Sequence, residues 1–356
     1  MIPVTKPYLP SREKVDAYID SIYETNWLSN NGPLVQKLTQ RLADYLGLDS
    51  RCLVLVANGS LALHLAYKAL ALEGEVITTP FTFVATASTL KWEGLVPVFT
   101  DIDKETWNID PSLIEDKITP KTSAMAPVHV FGNPCDVAAI QTIANKYKLK
   151  VVYDASHCFG TTLNCESILK QGDASTISFH ATKLFHTVEG GAVITKTPEL
   201  AEKIRKMINF GINQDGSIGI EGTNAKMSEF HAAVGLAVLD EVEKTQSSRE
   251  EIWESYKEKL GQIYQLQRRH PLSNNNYAYF PLLMESEDAV LNVIGELAAR
   301  GIQSRRYFYP SLDAVEVFKL NSDCSISRDI SSRILCIPSW QYLEGDIRDV
   351  ICGVLV

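Results

Sequence analysis

The stretch STISFHATKLFHTVEGGAVITK, residues 175–196, joins two apolar runs through a segment with one lysine and a pair of glycines. STISFH (175–180) and GAVITK (191–196) are apolar on both faces, which is typical of strands that are covered on both sides. The lysine between them, Lys183, loses its hydration if apolar groups surround its ammonium ion. Such a lysine either extends to water or is kept for its chemistry.

Further runs rich in Val and Ile alternate with helical patterns upstream of this stretch. A helical pattern follows each of the first four runs, beginning at Ser60 and then spanning 83–91, 112–117 and 136–148. Because parallel strands need long crossover connections, this alternation predicts an α/β domain with a parallel or mixed sheet. The runs are CLVLVA (52–57), EVITTP (75–80), PVFTDID (97–103), SAMAPV (123–128) and KVVYDAS (150–156).

The pattern changes near residue 240, where the alternation gives way to a long charged helix. The elements predicted beyond this point are a helix over 239–262, a strand at 277–283, a helix over 286–300 and a strand at 333–339. They predict a smaller α+β domain, residues 241–356, beside a large domain formed by residues 1–240.

The composition is that of an ordinary globular protein and disfavours several classes of function. Of 356 residues, 45% are hydrophobic and 22% are charged, and the net charge of −9 disfavours nucleic acids and acidic membranes as partners. The seven cysteines include no C-x-x-C pair, which argues against a disulfide framework and against a zinc site. With no apolar leader and no run of 18 apolar residues, we expect a cytoplasmic protein that acts on a small molecule without a metal.

The segment Ala57-Asn58-Gly59-Ser60, between a strand and a helix, is a candidate phosphate-binding turn. Gly59 allows the backbone to approach a ligand closely, and the exposed N–H groups at a helix start favour an anion. Ser60 would either contact that phosphate or only cap the helix. The segment is not a Walker loop, because the G-x-x-x-x-G-K-[ST] spacing is absent.

Asp154 and Lys183 each follow a predicted buried strand, at the edge where open α/β sheets bind ligands. Asp154 would either hold a proton on a heteroaromatic nitrogen or cap the next loop. A desolvated lysine has a lowered pKa and can form a Schiff base. Together with the phosphate-type turn, the two residues meet the three needs of pyridoxal phosphate: an anchor for the phosphate, a partner for the pyridinium and an amine for the aldehyde.

Segments spread over nearly the whole chain match the sequence motifs of one enzyme family, in the same order. They are TKPYLP (5–10), WLSNNGP (27–33), ANGSLALHLA (57–66), EVITTPFTFVATAS (75–88), PVFTDIDKETWNID (97–110), PVHVFGNPCD (127–136), VVYDASHCFG (151–160), SFHATKLFHTVEGGA (178–192) and GTNAKMSEFHAAVGL (222–236). The chain resembles the DegT/DnrJ/StrS family of nucleotide-sugar aminotransferases. The resemblance implies the fold-type I aminotransferase architecture, with a mostly parallel seven-stranded sheet, and pyridoxal phosphate as cofactor, with pyridoxamine phosphate as intermediate.

The resemblance implies roles around the cofactor ring. Lys183 corresponds to the Schiff-base lysine, which also moves protons, and Asp154 pairs with the pyridinium nitrogen. His157, where the family often has Gln or His, lies near the phenolic oxygen. Phe83 occupies the position of the aromatic residue that stacks on the ring, although its position also fits simple core packing.

Other positions match residues that hold the phosphate. Gly59, Ser60 and Ser178 bind it in the same subunit. Asn224 matches an asparagine that reaches the cofactor phosphate of the neighbouring subunit, which implies a homodimer. Lys226 stands where many family members carry Arg.

Four residues are candidates for contacts with the substrate. His180 is expected to line the sugar pocket, whereas His186 is expected to pack or to form a hydrogen bond in the protein. The others, Arg305, Arg306 and Tyr309, belong to the segment QSRRYFYP (303–310), which would either contact a phosphate-rich nucleotide or form a solvated loop.

The resemblance implies transfer of an amino group from L-glutamate to a keto-sugar nucleotide. The sequence around Lys183 is similar to that of family members that aminate C4 of dTDP-4-keto-6-deoxyglucose. The product of that reaction is dTDP-4-amino-4,6-dideoxyglucose, which is used in O-antigen and lipopolysaccharide biosynthesis. Amination at C3 and a UDP- or GDP-linked sugar remain alternatives. A sugar dehydratase of the family is disfavoured because it has histidine in place of the lysine. A non-catalytic PLP-binding regulator is also disfavoured, because Lys183 and Asp154 are both present. An amino-acid lyase is a third possibility, which would need strong recognition of an α-carboxylate without a nucleotide pocket.

Overall fold

The computed structural model describes residues 1–213, 215–318 and 323–356. The helices within them are α1 (Arg12–Thr25), α2 (Pro33–Leu46), α3 (Gly59–Ala69), α4 (Ala85–Trp92), α5 (Val137–Tyr147), α6 (Pro198–Met207), α7 (Glu229–Leu239), α8 (Val242–Leu260), α9 (Glu287–Ala299), α10 (Ser325–Arg333) and α11 (Gly345–Leu355). The strands are β1 (Leu53–Val56), β2 (Glu75–Thr78), β3 (Val96–Phe99), β4 (Thr122–Ala126), β5 (Lys150–Asp154), β6 (Thr162–Leu163), β7 (Glu166–Ser167), β8 (Ala174–Ser178), β9 (Gly191–Thr195), β10 (Phe280–Leu283) and β11 (Ile334–Ile337).

Seven strands form the central sheet in the order β1-β9-β8-β5-β4-β2-β3. The pairs from β8 through β5, β4 and β2 to β3 are parallel, whereas β9 is antiparallel to β1 and to β8. Each of the seven apolar runs identified in the sequence is one of these strands. The prediction of a mostly parallel α/β sheet is therefore confirmed.

Helices cover both faces of this sheet, as the apolar character of its strands requires. On one face, α2 and α7 pack against the sheet through buried residues that include Leu38, Leu236 and Ile177. On the other face, α3 and α6 contribute Leu65 and Ile204 to a second buried cluster. The strand ends are thereby the part of the sheet that remains open to a ligand.

The C-terminal part of the chain contains the antiparallel pair β10–β11, which packs with α8, α9 and α11 around buried residues such as Ile252, Leu282 and Leu297. The predicted strands at 277–283 and 333–339 and the predicted helix over 286–300 lie at β10, β11 and α9. The boundary between domains at residue 240 stays a prediction.

Two predicted helices differ from the structure. The segment 112–117 forms two single 3₁₀ turns, because Pro111 and Pro120 leave too few residues between them to offset the nucleation of an α-helix. The predicted helix over 239–262 is interrupted, and α8 begins only at Val242. At the interruption, the Glu241 carboxylate accepts a hydrogen bond from the Tyr8 hydroxyl at 2.8 Å, a tertiary contact that local patterns do not reveal.

All seven cysteines are free thiols, and six of them are buried. Among the described helices, none has both the length and the apolarity that crossing a bilayer requires. In the same described residues, no group of three or more His, Cys, Asp or Glu side chains is placed to bind a metal ion.

Candidate active site

A cavity of about 320 Å³ opens at the edge of the sheet where β1, β5 and β8 end. We call it the Lys183 cavity. It brings together every predicted cofactor residue except Asn224, and two of the four predicted substrate residues. The predicted residues that line it are Gly59, Ser60, Phe83, Asp154, His157, Ser178, His180, Lys183 and Arg305.

The first turn of α3 forms one wall of the cavity. The side chain of Asn58 accepts a hydrogen bond from the Leu61 N–H at 2.9 Å, so Asn58 is the helix cap. The interpretation of Ser60 as only a cap is therefore wrong. Ser60 is exposed in the first turn, where its own N–H and that of Gly59 have no acceptor within the helix.

Ser178 lies against this turn from the end of β8. A Cβ atom added to Gly59 would be 2.8 Å from the Ser178 Cβ, closer than side chains approach one another. A larger residue at position 59 would therefore separate the two elements. Two serine hydroxyls and the N–H groups of a helix start converge here, which is a set of donors that suits a phosphate.

Asp154, at the end of β5, is held from several sides. Its residue is only 6% exposed. The Thr86 hydroxyl donates to Oδ2 at 2.8 Å, and the Ser156 N–H donates to Oδ1 at 3.1 Å. The predicted loop cap and the predicted cavity position are thus both present, because Oδ1 caps the turn while the carboxylate lines the cavity.

Lys183 is half-buried, and its ammonium lies in the same cavity as the Asp154 carboxylate. Desolvation lowers the pKa of Lys183 from its ordinary value, and the negative charge of Asp154 opposes that shift only in part. The amine is therefore neutral, and nucleophilic, at a lower pH than an ordinary lysine would be.

His157 is a neutral hydrogen-bond donor. Burial, together with the nearby Lys183 charge, holds the pKa of His157 well below its ordinary value. Its Nδ1 accepts a hydrogen bond from the Phe131 N–H at 3.2 Å, which assigns the ring proton to Nε2. The ring is stacked parallel to Phe131 and Phe308 and contacts Tyr279, with centroids 4.6 Å apart in the last pair.

Phe83 does not pack in the core, so that interpretation is wrong. The residue is 59% exposed and lies just before α4, which begins two residues later than the predicted helix over 83–91. Phe83 lines the Lys183 cavity and also an adjoining groove of about 860 Å³. We call this second space the aromatic groove, after its lining residues Phe83, Trp92, Tyr307, Phe308, Tyr309 and Phe318.

The predicted substrate residues divide between the two spaces. His180 lines the Lys183 cavity, where its Nε2 is 3.6 Å from Oε1 of Glu189, and Arg305 lines both spaces. Arg306 and Tyr309 lie in the aromatic groove alone. His186 is buried and bonds through Nε2 to the Tyr8 carbonyl at 2.7 Å, as expected of a packed histidine.

The two arginines differ in their engagement. Arg306 donates to Glu287 at 2.6 Å and to the Ser332 carbonyl at 2.8 Å, and its guanidinium lies 3.4 Å from the centre of the Tyr309 ring. Arg305 makes a long contact of 3.4 Å with the Tyr307 hydroxyl. Arg305 is therefore the arginine of this pair with donors available to an anion.

Asn224 is exposed and does not line the Lys183 cavity. It pairs through the backbone with Asn209, whose side chain accepts a hydrogen bond from Lys226 Nζ at 3.0 Å. The proposed contact of Asn224 with a neighbouring subunit stays a prediction.

Several lining residues were missed in the sequence. Tyr279 and Phe308 come from the C-terminal part of the chain, where no strand-end motif marks them, whereas Tyr307 belongs to the aromatic-basic segment that was predicted to contact a nucleotide. Thr86, which contacts Asp154, was also missed, because its hydroxyl reaches the carboxylate across a sequence separation of 68 residues that no local pattern reveals.

Comparison with known proteins agrees with this geometry. The profile of the DegT/DnrJ/EryC1/StrS aminotransferase family matches residues 11–355. The protein belongs to this family. A family member from Shigella dysenteriae, dTDP-4-amino-4,6-dideoxy-D-glucose transaminase, is 42% identical, covering 99% of this chain and 97% of that protein.

Other family members share the fold and differ in their named sugars. GDP-perosamine synthase of Escherichia coli O157:H7 is 31% identical over 99% of this chain and 96% of its own. The crystal structure of DesI in the presence of its TDP-sugar product superposes with a TM-score of 0.92 at 33% identity, covering 99% of this chain and 91% of DesI. The protein is thus an aminotransferase with the fold-type I architecture.

Enzymes of this family depend on pyridoxal phosphate, and so does this protein. The donor set of the Lys183 cavity fits that group. The cradle of Ser60 and Ser178 suits the phosphate, the buried Asp154 carboxylate suits a protonated ring nitrogen, and the His157 N–H suits a phenolic oxygen. The Lys183 amine, with its lowered pKa, suits the aldehyde.

Proposed function

We propose that the protein transfers the amino group of L-glutamate to C4 of dTDP-4-keto-6-deoxyglucose and so makes dTDP-4-amino-4,6-dideoxyglucose. The observation that carries the proposal is the Lys183 cavity, in which a lysine of lowered pKa, a buried carboxylate and an anion cradle meet. The choice of sugar is supported by the relatives from Shigella dysenteriae and Escherichia coli, which are 42% and 36% identical. The perosamine synthase relatives make a GDP-linked 4-keto sugar the second candidate.

The aromatic groove supports a nucleotide-linked acceptor. It adjoins the Lys183 cavity, and Phe83, Arg305, Tyr307 and Phe308 line both spaces. A sugar held at Lys183 would place its diphosphate near the Arg305 guanidinium, and the exposed ring of Trp92 offers a stacking surface to a nucleobase. Arg306 then supports the groove through Glu287 and does not contact the phosphates.

Three residues of the cavity, Lys183, Asp154 and His157, have defined tasks in this reaction. When bound, the cofactor supplies a carbonyl carbon that accepts amines and a ring that delocalises negative charge. Lys183 Nζ takes the proton from Cα of glutamate and, in the second half of the reaction, delivers a proton to C4 of the sugar. Asp154 holds the proton on the ring nitrogen, and His157 donates from Nε2 to the phenolic oxygen. Glutamate leaves as 2-oxoglutarate with an oxygen atom taken from water, and its nitrogen is passed to C4 of the sugar, whose keto oxygen leaves as water.

The remaining assignments follow from this activity. We place the enzyme in the cytoplasm, as a homodimer in which Asn224 of each subunit reaches the cofactor phosphate of the other. Its amino sugar product would be consumed in building a surface polysaccharide such as an O-antigen. Gly59, Ser60 and Ser178 hold the phosphate from within the subunit, and Phe83 stacks on the ring.

A panel of acceptors tests the substrate. The purified enzyme is incubated with glutamate and 4-keto or 3-keto sugars linked to dTDP, UDP or GDP, and the product is examined by NMR. We expect turnover with the dTDP-linked 4-keto sugar and a new amine at C4. A product aminated at C3 would show that the enzyme is a 3-aminotransferase. Preference for a UDP- or GDP-linked sugar would show that dTDP is not the nucleotide of the substrate. Repeated turnover of an amino acid without any sugar, beyond the single equivalent of 2-oxoglutarate that a transaminase releases, would indicate a lyase instead.

The role of Lys183 is tested separately. Reduction of the holoenzyme with borohydride should attach the cofactor to the peptide that contains Lys183. Lys183→Ala should abolish turnover, while Lys226→Ala, outside the cavity, should not prevent the attachment at Lys183. Full turnover by Lys183→Ala would overturn the proposed function.

A further inference from the structure

Behind Asp154 lies a chain of two buried threonine hydroxyls. Thr86 Oγ1 is 2.8 Å from Asp154 Oδ2, and Thr82 Oγ1 is 2.9 Å from Thr86 Oγ1. Thr82 is 2% exposed, Thr86 is 0% exposed and Asp154 is 6% exposed. Water therefore does not compete strongly with these hydrogen bonds. Thr82 also lines the Lys183 cavity.

The direction of this chain follows from the number of protons available. An ionised carboxylate only accepts hydrogen bonds, so the Thr86 hydroxyl donates its single proton to Asp154. The bond between the two hydroxyls must then be donated by Thr82. The chain thus runs from Thr82 through Thr86 to Asp154, with each donor aimed at the carboxylate.

A neighbouring threonine shows that this arrangement is not the default on a helix. Thr89 lies on the same helix, α4, and is also buried, yet its hydroxyl donates to the Ala85 carbonyl at 2.8 Å, one turn back. That bond is the usual one for a threonine inside a helix. Thr86 instead directs its hydroxyl away from the helix, to the carboxylate at the end of β5.

A donor to a buried carboxylate stabilises its ionised form over its protonated form. With the Ser156 N–H on Oδ1 and Thr86 on Oδ2, each carboxylate oxygen has a donor from the protein, which fixes the carboxylate plane. A proton shared between Asp154 and a ring nitrogen then lies on the nitrogen. Without Thr86, the same proton would be drawn toward the carboxylate.

We propose that Thr86, oriented by Thr82, is the positioning residue that keeps Asp154 ionised and directed at the cofactor's ring nitrogen. Thr86 acts through Asp154 and does not contact the cofactor. The inference rests on the proposed function of Asp154 and extends it to two residues for which the sequence predicted no role.

The test uses three variants of the holoenzyme loaded with ¹⁵N-labelled pyridoxal phosphate. Thr86→Val keeps the shape and removes the donor, Thr86→Ser keeps the donor, and Thr89→Val removes a buried hydroxyl that does not contact Asp154. In Thr86→Val we expect the nitrogen resonance to move from the pyridinium position toward that of neutral pyridine. We expect kcat to fall about tenfold, with KM for the sugar nucleotide unchanged, the effect of losing one hydrogen bond to a charged group. Thr86→Ser and Thr89→Val should resemble the wild type.

A second measurement separates positioning from damage to the fold. Apoprotein is titrated with pyridoxal phosphate and with its 1-deaza analogue, which has carbon in place of the ring nitrogen. Thr86→Val should lower the affinity for pyridoxal phosphate and leave the affinity for the 1-deaza analogue unchanged. An equal loss for both ligands, or a pyridinium resonance in Thr86→Val identical to the wild type, would overturn the inference. If the wild type itself shows a neutral pyridine, the proposed function of Asp154 fails instead.

Discussion

Gly59 and Ser178, from the start of α3 and the end of β8, lie so close that a Cβ atom at position 59 would be 2.8 Å from the Ser178 Cβ and 3.2 Å from its Cα. The second atom belongs to the backbone of a buried strand, so a change of rotamer cannot relieve the contact. This approach places the Ser178 hydroxyl beside the N–H groups at the helix start. The geometry of the proposed phosphate cradle therefore depends on glycine.

Gly59→Ala is expected to separate α3 from β8 and to weaken binding of pyridoxal phosphate to the apoprotein about tenfold or more. The cofactor affinity is measured by fluorescence titration. Gly295→Ala is the matched control, because Gly295 lies inside α9 with open space around its Cβ position, and alanine there should stabilise the helix by roughly 0.5–1 kcal/mol. Unchanged affinity in Gly59→Ala would show that the cradle does not bind the phosphate.

The lowered pKa of Lys183 predicts that, in the apoprotein, this lysine loses its proton at a lower pH than exposed lysines do. Burial disfavours the charged amine, so acylation of Lys183 should rise with pH through a midpoint below the ordinary 10.5, while exposed lysines still carry their protons. Asp154→Asn removes the negative charge that favours the ammonium, so the midpoint should fall further. Peptide mass spectrometry after brief labelling at a series of pH values measures both. A midpoint for Lys183 equal to that of the surface lysines would contradict the burial argument.

Buried His129 predicts a sensitivity to acid that is separate from catalysis. Burial lowers the pKa of His129 to about 3, whereas the unfolded chain takes up that proton near pH 6.5. The neutral His129 ring therefore makes its full contribution to the free energy of unfolding above pH 6.5, and this contribution is lost as the pH falls toward 3. His129→Asn retains an acceptor for the Cys135 N–H, which bonds to Nδ1 at 3.0 Å, and removes the titrating ring.

Between pH 6 and 5 the free energy of unfolding should fall less steeply in His129→Asn than in the wild type, by about 1 kcal/mol per pH unit. Urea unfolding of the apoprotein at fixed protein concentration measures the slope, which a simple packing loss would not change. Thr142→Ala, an exposed substitution in α5 that removes no titrating group, serves as the control and should keep the wild-type slope. Parallel curves for wild type and His129→Asn would contradict the prediction.

Glu229 predicts a strong stabilising contact outside the active site. This residue is 1% exposed, and its carboxylate accepts hydrogen bonds from the Leu34 N–H at 2.7 Å and the Val35 N–H at 3.0 Å, at the start of α2. Glu229→Gln keeps the shape but turns an NH₂ group toward one of these donors, and should lower the free energy of unfolding by about 2 kcal/mol.

Glu13→Gln, an exposed substitution in α1, is the control for Glu229→Gln and should change the free energy of unfolding by less than about 0.5 kcal/mol. Both are measured by chemical unfolding at one protein concentration, since association of subunits would add to the apparent stability. Equal free energies of unfolding in the two variants would show that the Glu229 carboxylate does not stabilise the contact between α2 and α7.

The strands and the main catalytic candidates could be predicted because they depend on local pattern. A run that is apolar on both faces, as at β1 or β8, has no stable place except inside a sheet. A polar residue that ends such a run, such as Asp154, then lies at the edge where ligands bind. The same rule predicts that Lys183 and the turn before α3 lie together at this edge.

Finer assignments at the same sites required the structure. Whether Asn58 or Ser60 caps α3 depends on one side-chain rotamer, and both residue types are good caps. Whether Phe83 packs in the core or stands exposed depends on where α4 begins. The difference between Arg305 and Arg306, adjacent in the chain, depends on Glu287 in α9, which binds one of them.

The order of residues along the chain thus determined the fold class and predicted which amine and which carboxylate are the catalytic candidates, because these follow from which residue types stand at strand ends. Folding in three dimensions established the lowered pKa of Lys183, the proton position on His157 and the threonine donors behind Asp154. Those properties arise from desolvation and from hydrogen bonds between segments far apart in sequence. Their strength varies with distances of a few tenths of an ångström, which the pattern of residue types does not encode.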